Sequence, residues 1–475
     1  MSAATLQALP WRQFICRMCG LIYDERLGDA DSGLAAGTRF DDIPDDWACP
    51  ICGVGKADFE PHDPVAAAAR PAGAPAAAVA PRQAGIVVVG AGRAGWQVAQ
   101  ALRTLGCTAP ITLVSACSGD VYDKPMLSVA VARGLAPDSL ARECAADAAA
   151  RLGVRLLSDT QAVAIDTAAR RLRTTRGTLR WQQLVLAQGA APLLPPPFRP
   201  GQAWQINDLA SYRRLRARLA GGPRRLAIVG AGLVGCELAN DLALAGHSIT
   251  LLDLQQQPLA AALPAEAGQR LLAAWAGLPI RFIGGVRVVA VQRSGPAAAT
   301  AAPWRLDLAA TAGGTPTPEP LFADELIVAT GLRTPTRLAS SAGLAFDAAA
   351  GGIAVDGCSG ATSQPGIYAL GDCAVAGGCA SRYIEPIARQ AQGIAAHILG
   401  LPLPLPQPAL PLLRVKTSAL PISLQRHAVG QGDWLPGAAS AGELRLLQHD
   451  AQGRLLATLV ARPPAGGAAA QAAAG

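Results

Sequence analysis

Two stretches of the chain share one pattern of apolar and polar positions. The first opens with the β-branched run from Ile86 to Val89, passes through a glycine-rich segment, and then places Val98, Leu102 and Leu105 at helical spacing. A short apolar run predicts a buried strand, and apolar residues recurring every three or four positions predict an amphipathic helix. This pattern therefore predicts a strand, a turn and a helix, in that order.

The second stretch repeats the pattern further along the chain. The apolar run from Leu226 to Val229 precedes a glycine-rich segment, after which Leu238, Leu242 and Leu244 follow with helical spacing. A further apolar run, from Ile249 to Leu252, predicts the next strand. The order strand, turn, helix and strand is typical of a βαβ unit with a parallel sheet.

Two later segments carry simpler patterns. The apolar strand predicted by "GIYALGD" ends in Gly371 and Asp372, which predicts a carboxylate beside the N-terminus of a following helix. Near the C-terminus, "GELRLLQHDAQGRLLATLVA" predicts a hairpin that turns between Asp450 and Gly453.

Both glycine-rich turns have the spacing GxGxxG. The glycines are Gly90, Gly92 and Gly95 in the first turn, and Gly230, Gly232 and Gly235 in the second. Between a strand and a helix, these glycines let backbone N–H groups approach a pyrophosphate, which the positive end of the helix dipole attracts. The sequence therefore predicts two dinucleotide sites.

The acidic residue that would accept the ribose hydroxyls is present in only one of the two sites. Asp253 ends the strand after the second turn, and no arginine follows closely to bind a 2′-phosphate, which favours NADH over NADPH. At the first site Ala116 and Cys117 occupy the corresponding place. Either Asp120 or a backbone group takes over that contact, or the contact is absent.

Composition excludes several classes of protein. The net charge is +7 over 475 residues, yet residues 1–60 hold ten acidic and five basic residues, so the excess of positive charge lies in the remainder. The basic residues are scattered and no nucleic-acid-binding motif is present, which predicts no nucleic-acid partner.

The apolar segment from Gln390 to Leu413 is interrupted by five prolines, so we expect no membrane span. With 11 cysteines and no signal peptide, the chain is expected to be cytoplasmic.

Four cysteines near the N-terminus form two CxxC pairs. These are Cys16 with Cys19 and Cys49 with Cys52. Two such pairs predict a tetrahedral four-thiolate metal site, and each is followed by a glycine, Gly20 or Gly53, that can direct backbone N–H groups at the thiolates. By spacing alone, zinc and iron both remain open.

Aromatic residues around these pairs favour iron. Residues 11–60 resemble rubredoxin nearly without gaps, most clearly in "GDADSGLAAGTRFDDIPDDWACPICGVGKADF". The resemblance implies one iron atom held by the four cysteines beside a small aromatic core. That core would consist of Phe14, Tyr23, Phe40, Trp47 and Phe59.

Residues 85–460 resemble the two-dinucleotide flavoproteins, and rubredoxin reductases most of all. The resemblance is carried by "VYDKPMLS", "LVLAQGAAP", "ELIVATGLRTP", "GIYALGDCA" and "LLRVKTSALP". It implies FAD at the first glycine turn and NADH at the second. It also implies flavin contacts for Lys124, Pro125, Gly371 and Asp372, and a place near the nicotinamide for Glu237. Lys124 and Glu237 are the candidate catalytic residues.

The resemblances imply an α/β protein with two Rossmann-like domains, a small rubredoxin-like domain before them and a small α+β unit after them. The expected boundaries are 1–61 for the iron domain, 62–84 for an Ala/Pro-rich linker, 85–203 with 320–400 for the FAD domain, 204–319 for the NADH domain, 405–463 for the C-terminal unit and 464–475 for a disordered tail.

The implied function is that of an FAD-dependent rubredoxin–NAD(+) reductase fused to its own rubredoxin. Hydride would pass from NADH to FAD, and single electrons would pass to Fe(III) in the acidic N-terminal domain, docked on the basic remainder. The downstream partner would be an alkane hydroxylase, or a system that reduces oxygen or peroxide. In the alternative, the four cysteines hold zinc for partner docking and the flavoprotein uses another acceptor.

A disulfide reductase is disfavoured. In that subfamily a CxxxxC pair follows the first dinucleotide unit, but this chain has "KPMLSVAVARG" there. Cys373 and Cys379 follow the late flavin motif at an unsuitable place and receive no role.

Overall fold

The structure is a computed structural model that describes residues 10–16, 21–29, 32–50, 54–62, 84–294, 303–311, 319–380, 382–404, 410 and 412–463. These residues fall into two compact units. The first unit comprises residues up to 121, 143–190 and 334–406, and the second comprises 122–142, 191–333 and residues from 407 onward.

The described residues form strands and helices that we number along the chain. The strands are β1 Gln13–Cys16, β2 Ile22–Asp24, β3 Phe59–Pro61, β4 Gly85–Val89, β5 Ile111–Val114, β6 Val121–Tyr122, β7 Ala141–Glu143, β8 Arg155–Leu157, β9 Ala162–Asp166, β10 Arg171–Thr174, β11 Gly177–Leu186, β12 Ala191–Pro192, β13 Arg225–Val229, β14 Ser248–Leu252, β15 Ile280–Ile283, β16 Val286–Arg293, β17 Trp304–Ala310, β18 Leu321–Ala323, β19 Glu325–Val328, β20 Leu332–Arg333, β21 Phe346–Asp347, β22 Gly352–Val355, β23 Ile367–Ala369, β24 Ala374–Ala376, β25 Cys379–Ala380, β26 Leu413–Val415, β27 Ile422–Arg426, β28 Asp433–Pro436, β29 Leu444–His449 and β30 Leu455–Ala461. The α-helices are α1 Arg93–Thr104, α2 Ala145–Leu152, α3 Leu209–Leu219, α4 Leu233–Leu244, α5 Ala265–Ala274, α6 Arg337–Ser341 and α7 Ile387–Ile398.

The N-terminal part of the first unit, which we call the cysteine module (the described residues of 10–62), is a small antiparallel sheet. Its strands lie in the order β2-β1-β3. The five aromatic residues predicted to form its core are all buried, and the rings of Phe14 and Phe40 stack with centroids 3.9 Å apart. So small a domain buries little surface, so a dense aromatic core and a metal clamp are the usual supports.

The rest of the first unit is built on a sheet in the order β8-β5-β4-β11-β10-β9, with β23 also pairing with β11. Strands β8, β5, β4, β11 and β23 run parallel. Ile86 and Val88 pack into one apolar cluster with α1, α2 and α7, while Val87 and Val89 pack into another that includes residues of α6. Because side chains alternate along a strand, β4 is covered on both faces, as expected for a parallel sheet.

The second unit contains a parallel sheet in the order β15-β14-β13-β19 and an antiparallel sheet β16-β17-β18. Its C-terminal part is a five-stranded antiparallel sheet in the order β26-β27-β30-β29-β28. The N–H of Gly453 donates to the carbonyl of Asp450 at 2.9 Å between β29 and β30, which confirms the predicted hairpin. An α+β unit was expected here, but the described residues after 410 form strands and no helix. The antiparallel pairing of β29 and β30 extends to β26, β27 and β28, so strands occupy the place of the expected helix.

The predicted strands and helices of both glycine-rich stretches are confirmed as β4, α1, β13, α4 and β14. Asp372 differs from its prediction. Only a three-residue 3-10 helix, Gly371–Cys373, follows β23, and the chain then enters β24. None of the helices in the described ranges is long and apolar enough to cross a bilayer. The domain boundaries remain a prediction.

Candidate functional site

The first glycine turn lies at the carboxyl end of β4 and is shaped by close backbone contacts. Gly90 has φ +108°, and a Cβ there would lie 2.2 Å from the carbonyl oxygen of Ala187. A Cβ at Gly95 would lie 1.8 Å from the carbonyl oxygen of Gly90, whereas a Cβ at Gly92 would meet nothing within 4 Å. Two glycines therefore allow the turn and the packing of helix on strand, and the middle one leaves open space, as a pyrophosphate requires.

The late flavin motif lies beside this turn. A Cβ at Gly371 would lie 3.4 Å from the Cβ of Ala94 in the first turn of α1, and the Leu370 N–H donates to the carbonyl of Leu186 at 3.2 Å. Asp372 is half-buried in the adjacent 3-10 helix. The structure thus gathers both predicted FAD motifs of the first unit at the carboxyl ends of parallel strands, where such sheets bind ligands.

At the first site, Asp120, the candidate for the ribose contact, has a structural role. Cys117 is exposed, and both carboxylate oxygens of Asp120 already accept hydrogen bonds. One bond comes from the Ala145 N–H at 3.0 Å and the other from the Ser118 hydroxyl at 2.9 Å. Asp120 therefore holds the start of α2.

The second glycine turn repeats the geometry of the first. Gly230 has φ +102°, and a Cβ there would lie 2.5 Å from the carbonyl oxygen of Ala329. A Cβ at Gly235 would lie 1.8 Å from the carbonyl oxygen of Gly230, and one at Gly232 would meet nothing within 4 Å. The second unit therefore contains an equivalent cradle at the start of α4.

Asp253 lies at the end of β14, against this second turn. One carboxylate oxygen accepts the Ala231 N–H at 2.5 Å, and the other accepts the Gln255 N–H at 2.8 Å. Each oxygen of a carboxylate can accept two hydrogen bonds. Asp253 therefore braces the turn and keeps acceptor capacity that matches two ribose hydroxyls.

Glu237 is buried on α4 and held by donors from two other segments. The Ser128 hydroxyl donates to it at 2.5 Å, and Lys416 donates through its backbone N–H at 2.9 Å and its Nζ at 2.6 Å. These residues are 109 and 179 positions away in sequence, so no local pattern reveals the contacts. The carboxylate joins α4 to the segment 124–128 and to the C-terminal sheet.

A second carboxylate of α4 fixes the residues just after the segment 124–128. Asp241 accepts the backbone N–H groups of Val131 at 2.8 Å and Ala132 at 3.1 Å, and burial raises the pKa of Asp241 to about 6 despite these bonds. Lys124, which is exposed, and Pro125 begin the 3-10 helix Lys124–Ser128 in this unit. Glu237 therefore holds the 3-10 helix that carries these predicted flavin contacts, and Asp241 holds the residues that follow it.

Two buried thiols outside the cysteine module, Cys236 and Cys373, are poor nucleophiles. Burial raises the pKa of Cys373 to about 12 and also raises the pKa of Cys236. Reactive thiols require the opposite shift, toward the thiolate. Cys236 and Cys373 are therefore unsuited to nucleophilic thiol chemistry.

Two of the four predicted metal ligands lie in the described part of the cysteine module. Cys16 and Cys49 are 1% and 2% exposed. The Cys16 N–H donates to the carbonyl of Leu21, and the Cys49 N–H donates to the carbonyl of Val54, each at 2.7 Å. The two loops therefore close with the same five-residue offset, which fits a site built from two matched CxxC turns. Cys19 and Cys52 lie outside the described residues.

A buried carboxylate that the sequence analysis missed organises this module. Glu25 is completely buried and accepts hydrogen bonds from Arg12 at 2.7 Å, from Arg39 at 2.8 Å and from the Phe40 N–H at 2.9 Å. Burial alone would raise the pKa of Glu25, but these donors outweigh it and hold the pKa at about 2. The partners lie 13 to 15 positions away, which is why no short motif indicates them.

Comparison with known proteins agrees with this geometry. The family described as "Pyridine nucleotide-disulphide oxidoreductase" matches residues 84–395, and the family described as "Rubredoxin" matches residues 13–59. The chain is 38% identical over 349 residues to the "Nitric oxide reductase FlRd-NAD(+) reductase" of Aeromonas salmonicida (strain A449), covering 73% of this chain and 84% of that protein. The protein of the same name from Escherichia coli O139:H28 (strain E24377A / ETEC) is 34% identical over 72% of this chain and 85% of its own length.

A solved structure shows the same fold. The covalent putidaredoxin reductase–putidaredoxin complex contains a chain that superposes with a TM-score of 0.70 and is 25% identical, covering 81% of this chain and 91% of that one.

These matches establish the class of the protein. It is an oxidoreductase of a family that implies FAD and a pyridine nucleotide, and it carries a rubredoxin domain, which implies iron. The chain therefore belongs to the pyridine nucleotide-disulphide oxidoreductase family, with a rubredoxin domain fused in front of the reductase.

Proposed function

We propose that the protein is an NADH:rubredoxin oxidoreductase whose own N-terminal rubredoxin is the electron acceptor. The observation that carries the proposal is the presence, on one chain, of two equivalent glycine cradles and of two matched cysteine loops. Each NADH would give NAD⁺, one proton and two electrons, and iron held by Cys16, Cys19, Cys49 and Cys52 would take up one electron at a time. One NADH is therefore matched by two iron atoms.

The chain's own residues would form three binding sites, one each for FAD, NADH and iron. The first cradle, with Gly371 and Asp372, would hold FAD, to which Lys124 and Pro125 contribute as further contacts. Bound FAD would supply the exchange between two-electron and one-electron chemistry. The second cradle would hold NADH, and Asp253 would orient its adenosine ribose. Glu237, held by Ser128 and Lys416, would act as a positioning residue.

The iron would be held by the four cysteines of the module, and electrons would leave it for a separate redox protein. The candidates are an alkane hydroxylase, a system that reduces oxygen or peroxide, and, because of the name of the relatives, a system that reduces nitric oxide. The cytoplasm is the proposed compartment, since it keeps thiols reduced.

Anaerobic titration of the purified full chain with NADH tests the proposal. We expect the red absorbance of the ferric thiolate centre and the yellow absorbance of the flavin to bleach together. After correction for reduced flavin, the end point should correspond to two iron centres reduced per NADH. If only flavin absorbance is present and the chain contains one zinc atom, the alternative function replaces this one.

The role of Asp253 gives a further prediction. Asp253→Ala removes the acceptor for the ribose hydroxyls, so the KM for NADH should rise about tenfold, while kcat at saturating NADH changes little, because the contact is made equally in ground and transition states. The preference for NADH over NADPH should fall in parallel. Steady-state kinetics with ferricyanide as acceptor measure both. Asp208→Ala, which removes an acidic cap at the start of α3 in the same unit, is the matched control. An unchanged KM in Asp253→Ala contradicts the assignment.

A further inference from the structure

The cysteine module contacts the remainder of the first unit through an ion pair. Nη2 of Arg337 donates to both carboxylate oxygens of Asp29, at 3.2 and 3.1 Å. The side chains of Arg337 and Asp29 are only 19% and 12% exposed, and they are 308 positions apart. A pair that is this little exposed contributes to orientation, because a wrong pose leaves a partly buried charge without its partner.

An apolar contact accompanies the ion pair. Val163, on the edge strand β9, is 1% exposed and belongs to the same buried cluster as the aromatic core of the cysteine module. The Ile165 N–H donates to the hydroxyl of Ser341 at 3.0 Å, which fastens β9 to α6. Because Arg337 is the first residue of α6, Arg337 and Val163 form one surface, which we call the docking seat.

On the module side, hydrogen bonds connect the docking seat to the cysteine loops. The Ser32 hydroxyl donates to Asp29 at 2.7 Å, and Nε1 of Trp47 donates to the Ser32 oxygen at 3.2 Å. Trp47 lies in the aromatic core and precedes Cys49 by two residues. The orientation of Asp29 is therefore coupled to the part of the module that carries a metal ligand.

On the opposite side, the docking seat lies next to the first glycine turn. Nε2 of Gln188 donates to the carbonyl of Pro335 at 2.9 Å, and Gln188 follows Ala187, whose carbonyl Gly90 approaches. Only Thr336 separates Pro335 from Arg337, so the Cα atoms of Pro335 and Arg337 are at most about 7 Å apart. The docking seat thus borders the elements that form the predicted FAD cradle.

We propose that the docking seat is the place from which the cysteine module accepts electrons, and that the Asp29–Arg337 pair sets its orientation there. The inference rests on the proposed function, because it assumes that the module's iron is the acceptor. In each encounter one electron reduces Fe(III) to Fe(II), and NADH supplies two such electrons with release of NAD⁺ and a proton. The acidic character of the N-terminal 60 residues and the basic character of the remainder favour the same encounter.

Charge reversal in the full chain tests the docking seat. The variants are Asp29→Arg, Arg337→Asp and the double variant, with the milder Arg337→Gln in case a reversal disturbs folding. Arg155→Asp is the matched control, since Arg155 is exposed on β8 at the opposite edge of the same sheet. One readout is the rate of iron bleaching after anaerobic mixing with NADH, normalised to ferricyanide reduction by the same variant. The second is amide hydrogen exchange of residues 162–166, which reports docking without turnover.

We expect each single reversal to slow iron reduction at least tenfold and to speed amide hydrogen exchange at residues 162–166, and Arg337→Gln to act in the same direction. The double variant should recover most of the iron-reduction rate and most of the exchange protection. Arg155→Asp should behave as wild type. Iron reduction within twofold of wild type in both single reversals overturns the proposal, whatever the exchange result. If NADH does not bleach the iron absorbance of the wild-type chain, this result contradicts the proposed function and not the docking proposal. In that case faster exchange in the single reversals still supports the docking contact.

Discussion

Replacing Gly95 with alanine should produce a chain that no longer retains FAD. The new Cβ would lie 1.8 Å from the carbonyl oxygen of Gly90, far inside contact distance. That oxygen is a backbone atom of the turn after β4, and the Cβ is fixed to the backbone of α1, so neither can move aside easily. Helix α1 must therefore move away from β4 and open the cradle. Overpacking against rigid atoms costs about 3 kcal/mol, which corresponds to FAD binding weakened by roughly a hundredfold. Flavin content after gel filtration, measured by absorbance, tests this expectation.

The second cradle provides the matched control. In Gly235→Ala the Cβ meets the carbonyl of Gly230 at the same 1.8 Å, but the residue lies in the other unit. This variant should keep its flavin and lose reduction by NADH. Full flavin content in Gly95→Ala, or loss of flavin in Gly235→Ala, would contradict the assignment of FAD to the first turn and NADH to the second.

The middle glycines separate a binding effect from a folding effect. A Cβ at Gly92 or Gly232 meets no protein atom within 4 Å, so alanine there should leave the thermal stability of the cofactor-free chain unchanged. It should still weaken binding of FAD or NADH, because the side chain enters the space reserved for the pyrophosphate.

Local sequence patterns predicted much of the fold. A β-branched run, three glycines and apolar positions at helical spacing specify strand, turn and helix within some twenty residues, and β4 with α1 and β13 with α4 appear where the pattern predicts them. The helix expected after Asp372 does not form, because strand β24 continues the chain and pairs with β22, a contact that no local pattern contains. Tertiary pairing overrides a local preference at that point.

The parts that sequence reasoning did not reach all depend on distant contacts. Glu237 was singled out by resemblance, but its partners Ser128 and Lys416 come from separate segments. Asp29 and Arg337 look like ordinary surface charges until the fold brings them together. Charged residues carry no periodic signal, so a partly buried ion pair between distant segments becomes visible only with the structure.

Glu25 offers the clearest case, and its replacement should have a large effect on stability. Glu25→Gln removes the charge that Arg12 and Arg39 share and leaves their guanidinium groups with a neutral partner at a fully buried position. Breaking such a pair costs about 3 to 5 kcal/mol when both partners are buried, and because the arginines are partly exposed we expect about 2 to 4 kcal/mol for unfolding of the cysteine module. Guanidinium titration followed by the iron absorbance, with tryptophan fluorescence as a metal-independent check, measures the change.

The pH dependence of the same variant has a definite sign. The pKa of Glu25 is about 2 in the folded chain, below its usual value of 4.5, so the folded state binds fewer protons between these values. The stabilisation is therefore complete above about pH 4.5 and is lost as the pH falls toward 2. The wild-type module should weaken steadily through this window, and Glu25→Gln should lack this contribution to the slope. Glu60→Gln, at an exposed acid on β3, should follow the wild type. Equal acid sensitivity in Glu25→Gln and wild type would show that another carboxylate controls the module, because only a group whose pKa differs between the folded and unfolded chain can couple stability to pH.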